Sequence, residues 1–201
     1  MDQFDGFKDT VNIVSGLPRS GTSMMMKMLE AGGIQPLIDN IRKADIDNPK
    51  GYYEFERVKQ IKEDQGWLDD AVGKVVKMVS MLLMDLPEGY KYKVVFTRRE
   101  MKEILASQRK MLNRISDEKQ TDGEEAVQED KAMENHYRSH LVKVHFAMEK
   151  RKDVELLYVK YNDFLADPLP GIKAINEFFD GALDEEKMAE VVDPALYRNR
   201  A

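Results

Sequence analysis

Short apolar runs alternate with longer amphipathic stretches along this chain. Val11 to Ser15 is apolar enough for a central strand of a parallel sheet. From Gly21 the pattern turns helical, with Met24, Met25, Met28 and Leu29 at helical spacing, until Gly32-Gly33 ends the helix. Residues 34–53 are irregular and polar, and helical character resumes near Glu54, running through Val58, Ile61 and Trp67. Lys74 to Val79 reads as a second strand, followed by a short apolar segment, Met81 to Leu86, that Pro87-Glu88-Gly89 stops. Tyr92 to Thr97 is a third strand. It gives way at Arg98-Arg99 to a helix in which Met101, Ile104, Leu105, Gln108 and Met111 share a face.

Residues 116–130 are strongly acidic and poor in apolar side chains, so they read as a solvated loop or mobile lid. A long amphipathic helix follows, marked by Met133, Tyr137, Leu141, Val144 and Met148. Val154 to Val159 is a fourth strand, and Leu169 to Phe179 and Asp184 to Val192 are closing helices. The alternation predicts an α/β fold, a three-layer sandwich with a mainly parallel central sheet, as one domain over residues 1–201. In such sheets ligands bind beyond the carboxyl ends of the strands.

Composition narrows the function classes. Hydrophobic residues make up 42% of the chain and charged residues 34%, the balance of a soluble globular protein. No apolar run is long enough to span a membrane, and the first residues lack the basic and apolar regions of a signal peptide. There are no cysteines, which removes disulfides and thiolate metal sites and makes the cytoplasm the expected compartment. A formal charge of -6 argues against nonspecific nucleic-acid binding, which recruits basic surfaces, but leaves room for a small anionic ligand.

Such a ligand has an evident site. The first strand ends at Gly16, a polar loop follows, and a helix opens after Gly21. The amides of Ser20, Gly21, Thr22 and Ser23 then converge where the helix dipole favours an anion. The loop is of the P-loop nucleotide-binding type, but it departs from the triphosphate-binding pattern: Thr22 stands in the lysine position and the nearest cation is Arg19. A second anion element follows the third strand, where Arg98 and Arg99 end the strand and Ser107 lies two helical turns on. Two separated anion sites suit a nucleotide phosphorylated at both ends of its ribose.

In these two elements the chain resembles the PAPS-dependent sulfotransferases. Pro18-Arg19-Ser20-Gly21-Thr22-Ser23 matches their 5′-phosphosulfate loop, and Val94 to Ser107, with Arg99 and Ser107, matches their 3′-phosphate element. Asp47 to Glu54 and Tyr158 to Pro168 look like bacterial members, so the likeness spans roughly residues 11–180. Departures are Met101, where many relatives have proline, and the lack of a Gly-rich basic segment near the C-terminus, for which Tyr197-Arg198-Asn199-Arg200 is the nearest substitute. The resemblance implies PAPS as co-substrate and PAP as product, with no metal. The acceptor is a hydroxyl or amine on a carbohydrate, lipid, peptide or small alcohol.

Roles follow residue by residue. Arg19 offsets charge on the bridging oxygen as the sulfuryl group leaves, and Thr22 and Ser23 add hydroxyl donors. Arg99 and Ser107 hold the 3′-phosphate, with Arg98 as a substitute for Arg99. Glu54, beside Tyr52 and Tyr53, is the first choice for the acceptor's general base, with Asp47 and Glu56 in reserve. Lys77 either reaches the sulfuryl oxygens or points to solvent. His136 and His140 are four apart on the long helix, with His145 beyond, and suit a catalytic histidine better than a metal site. Two alternatives stay open: a P-loop nucleotide kinase or phosphatase, and a nucleotide-binding module without acceptor chemistry.

Overall fold

A computed structural model describes residues 6–39, 41, 52–115 and 124–192. Four parallel strands form one sheet in the order β2-β1-β3-β4: β1 (Val11–Gly16), β2 (Val75–Val79), β3 (Tyr92–Arg98) and β4 (Val154–Lys160). The chain leaves β1 for β2 on one side and returns to β3 on the other. That reversal opens a crevice at the carboxyl ends of β1 and β3, the usual ligand position in an open α/β sheet.

Side-chain alternation along the strands divides the core into two faces. Val11, Ile13, Val76, Met78, Val94 and Phe96 pack with Trp67 and Leu68 and with Val144 and Met148 of α4 (Glu124–Glu149). Val14, Val75, Val95 and Val159 pack instead against Met25 and Met28 of α1 (Thr22–Ala31) and against Phe164, Ile172 and Met188. These last three lie on α5 (Tyr161–Ala166), α6 (Pro168–Phe178) and α7 (Glu185–Glu190). The result is the expected three-layer sandwich. A smaller cluster of Leu17, Ile104, Leu105 and Tyr137 closes the carboxyl end, where α3 (Met101–Ile115) meets α4.

Local chemistry sets the ends of the elements. Asp167 caps α6, accepting from the Leu169 amide at 3.2 Å, with Pro168 preset for the first helical position. Asp184 caps α7 through the Lys187 amide at 3.1 Å.

Three expectations change. The helix expected from Glu54 to Trp67 is a 3-10 turn (Glu56–Gln60) and then the four-residue α2 (Leu68–Ala71). Val58 and Ile61 are three apart, so a 3-10 geometry aligns both into the core, and Asp64 accepts the Gly66 amide at 3.1 Å where an α-helix would continue. The segment Ser80–Asp85 is likewise a 3-10 helix. Finally, residues 124–130 of the acidic stretch form the first turns of α4 rather than a loop. Glu and Gln are good helix formers, acidic side chains suit a helix start, and Ala126 is buried there with its carbonyl accepting from Arg109. Residues 116–123 of the expected lid, with Asp47 and Tyr197 to Arg200, lie outside the described residues.

Candidate active site

The loop after β1 keeps its shape through two glycines and one serine. Gly16 has φ +153°, and a Cβ there would sit 2.7 Å from the Thr97 carbonyl oxygen as well as on the Ser20 and Thr97 hydroxyls. Gly21, the residue before α1, has φ +100° and lies against the Tyr161 ring, so only glycine fits. Ser20 is fully buried. Its amide donates to the Leu17 carbonyl at 3.2 Å, and its hydroxyl lies 2.7 Å from Thr97 Oγ1. Thr97 Oγ1 donates its own proton to the Ser15 carbonyl at 3.0 Å, so Ser20 is the donor between the two. Ser20 therefore shapes the cradle. The helix start follows it: the amides of α1 from Thr22 on precede the first helical bond, which the Met25 amide makes to the Gly21 carbonyl at 3.1 Å.

Arg19 adopts φ +68°, uncommon for a side chain of its size, which turns it out of the loop toward α3. Its Nε donates to Ser107 Oγ at 2.9 Å, and Ser107 is buried. Arg99 Nη1 donates to the Arg19 carbonyl at 3.1 Å, and Arg99 Nε donates to Glu103 at 2.7 Å. The Arg99 and Glu103 side chains are 8% and 4% exposed, so this is a buried ion pair. Tyr161 lies under the Arg99 guanidinium at 4.7 Å. Asn162 completes the frame, its Nδ2 donating to Glu103 at 3.0 Å and its Oδ1 accepting the Glu100 amide. The two anion elements predicted separately from sequence thus share one hydrogen-bonded framework.

Arg98 takes another path. It is exposed and stacks 3.8 Å over the Tyr158 ring, whose hydroxyl sits 2.7 Å from His145 Nδ1. The strand's alternation sends neighbouring residues to opposite faces, which separates Arg98 from Arg99.

Glu54 and Lys77 meet on the α1 face of the sheet. Lys77 Nζ is 3.6 Å from Glu54 Oε1 and donates to the Tyr52 carbonyl, with side-chain exposures of 10% for Lys77 and 20% for Glu54. Lys77 therefore turns inward, and the Glu54 carboxylate faces an ammonium. Beside them Tyr53 donates to Glu30 of α1; burial and this carboxylate push its phenol above the usual range.

On the opposite face His140 Nε2 lies 2.9 Å from Ser80 Oγ. Burial, with His136 and Lys143 nearby, holds the His140 imidazole below the ordinary histidine range. Among the described residues no group of His, Asp or Glu side chains is arranged to hold a metal ion, and no helix is long and apolar enough to cross a membrane.

Thr97, Glu103, Tyr161 and Asn162 are parts of the site that the sequence reading did not single out. Tyr161 and Asn162 stand in the Tyr158 to Pro168 stretch that carried part of the family likeness. Thr97 and Glu103 had no signal beyond their place in a strand end and a helix face.

Solved structures share this fold. The chain aligns with the sulfotransferase domain from the curacin biosynthetic pathway at a TM-score of 0.52 and 11% identity, covering 92% of this chain and 78% of that one. It aligns with sulfotransferase STF9 from Mycobacterium avium at 0.55 and 13% identity, covering 92% and 67%. No curated protein sequence matches the chain. The sulfotransferase domain model matches residues 9–199, from the lead into β1 to beyond α7 and across both anion elements. The protein therefore belongs to the sulfotransferase domain family and is an enzyme of sulfuryl transfer.

Proposed function

We propose that the carboxyl ends of β1 and β3 bind PAPS, and that the enzyme passes its sulfuryl group to a hydroxyl or amine of a carbohydrate, lipid, peptide or small alcohol. The observation that carries this reading is the 2.9 Å bond from Arg19 to Ser107, which draws the phosphate loop and the α3 element together. A nucleotide with phosphates at both its 5′ and 3′ positions presents two anions to two such elements.

The first amides of α1, with the hydroxyls of Thr22 and Ser23, hold the 5′-phosphate, while Ser20 and Gly21 keep the loop in shape for it. Arg99 and Ser107 hold the 3′-phosphate; Glu103, Asn162 and Tyr161 keep the Arg99 guanidinium in place. Arg19 lies between the two and offsets the charge that gathers on the bridging oxygen as the sulfur–oxygen bond lengthens. No triphosphate chain needs neutralising, so these residues do the work without a divalent ion. Lys77 serves the sulfuryl oxygens from the α1 face, and the Glu54 carboxylate 3.6 Å from it is the acceptor's general base. The whole chain acts as one domain, and a cytoplasmic setting belongs to the same reading.

Transfer of labelled sulfuryl from PAPS to a panel of phenols, alcohols, amines and saccharides, run in chelator, tests this reading. Turnover on at least one acceptor is expected. Arg19→Ala removes a transition-state donor and is expected to cost about 10²- to 10³-fold in kcat. A protein that transfers nothing from PAPS to any member of the panel, or that Arg19→Ala leaves at full rate, contradicts it.

A further inference from the structure

Residues 52–54 wrap around the Lys77 ammonium. Lys77 donates to the Tyr52 carbonyl, its Nζ lies 5.8 Å from the centre of the Tyr52 ring, and the Glu54 carboxylate stands 3.6 Å away. The residue between them, Tyr53, has φ +53°, in the left-handed region that a side chain as large as tyrosine seldom enters. That turn brings the carbonyl before it and the carboxylate after it to one ammonium. A residue keeps such a conformation only where its surroundings fix it.

Two holds fix it here. On one side the Tyr53 phenol donates to Glu30, and the Tyr53 side chain packs against the core face that contains Met25, Met26 and Leu29 of α1. An ionised carboxylate only accepts, so Tyr53 is the donor. Burial and this carboxylate raise the phenol above its usual range, and it keeps its proton at neutral pH. On the other side the Glu54 carbonyl accepts the Asp39 amide at 3.3 Å, and Asp39 Oδ2 accepts the Glu56 amide at 2.6 Å. Glu30 itself is exposed in the last turn of α1, where the helix dipole disfavours a carboxylate and no basic side chain stands. Helix chemistry gives no reason for an acid there; the phenol does.

Helix α1 therefore carries the phosphate loop at one end and the anchor of Tyr53 at the other. We propose that Tyr53 and Glu30 are a positioning pair, setting the turn that holds Lys77 and Glu54 at the sulfuryl end of the bound nucleotide. Neither of the pair touches the reacting atoms. They act through the Tyr52 carbonyl and the Glu54 carboxylate, which aim the Lys77 ammonium, and through the placing of Glu54 itself. The inference rests on the PAPS reading above and deepens it by tying the transfer side to the helix that receives the 5′-phosphate.

The test is a calorimetric comparison of PAPS with PAP in the absence of acceptor, because the two differ by the sulfuryl group. Lys77→Met sets the scale: it is expected to lower the ratio of PAPS to PAP affinity about tenfold, the loss of one charge-assisted contact. Tyr53→Phe keeps the ring and removes only the donor. It should lower the same ratio about threefold or more, with PAP affinity unchanged as the sign of an intact fold. A bond that only steadied the fold would move unfolding and not this ratio. Glu30→Leu should match Tyr53→Phe, whereas Glu30→Gln, whose amide oxygen still accepts from the phenol, should keep the ratio of the unaltered protein. A ratio that Tyr53→Phe and Glu30→Leu leave unchanged overturns the positioning pair, as does a loss in Glu30→Gln as large as in Glu30→Leu. A ratio that Lys77→Met does not move overturns the inference together with the role given to Lys77, and leaves the nucleotide site standing. Failure of the unaltered protein to bind PAP at all overturns the nucleotide reading, and this inference with it.

Discussion

The two ends of the sheet treat their buried polar groups in opposite ways. At the amino end the buried Asn12 and Lys93 side chains are closed off within the fold. Asn12 donates to the Phe7 and Lys74 carbonyls at 3.0 and 3.1 Å, and Lys93 donates to the Phe178 carbonyl at 2.7 Å beside Glu155 and Asp180. At the carboxyl end the cations meet oxygens of a kind that a phosphate can replace or join. Arg19 reaches a serine hydroxyl, and Arg99 a loop carbonyl besides its carboxylate. Buried charge at one end holds helices to strands; at the other, in the function proposed above, it holds an anion. Burial alone does not distinguish the two uses, because the Lys93 side chain is 4% exposed and Arg99 8%.

Substitutions at the two ends should separate stability from binding. The largest effect is expected for Arg99→Met, which strands the buried Glu103 carboxylate and costs about 3–5 kcal/mol of stability, read by urea unfolding. Adding Glu103→Gln should restore much of that stability but none of the PAP affinity. Gly16→Ala forces a Cβ onto the Thr97 carbonyl at an unfavourable φ and should cost about 2–4 kcal/mol, with PAP binding lost.

Lys93→Met leaves the Phe178 carbonyl without its donor and should cost about 1–3 kcal/mol in thermal or urea unfolding. PAP affinity should not change; a drop would show that the two ends are coupled. Ser107→Ala is the mildest, with stability nearly unchanged and PAP affinity reduced about tenfold through one charge-assisted contact.

The carboxyl end was the more legible of the two in the sequence. Its loop is made by neighbours in the chain: Gly16 and Gly21 bracket a polar turn between an apolar run and an amphipathic helix, and those signals are local. The frame behind Arg99 is partly non-local, since Asn162 lies far along the chain from Glu103. Lys93 gave no sign of its role because its partners, Phe178, Glu155 and Asp180, come from the last third of the chain. The start of α4 was hidden by composition: an acidic run reads as solvated loop, yet acidic residues favour the first turn of a helix. The Glu54 region failed as a helix because residues three apart satisfy a 3-10 turn as well as an α-helix.

Family membership also decides between the functional alternatives. A P-loop kinase or phosphatase, and a module without chemistry, give way to a sulfuryl-transfer enzyme. The central proposal is that the carboxyl end reads the nucleotide through two anions.

Calorimetric titration with PAP and with ADP, in chelator, tests that claim most directly, because the two ligands differ at the 3′-phosphate. The account requires PAP to bind at least about tenfold more tightly than ADP, with most of that margin lost in Ser107→Ala. Equal affinities for PAP and ADP would contradict it, as would a preference for PAP that survives Ser107→Ala undiminished.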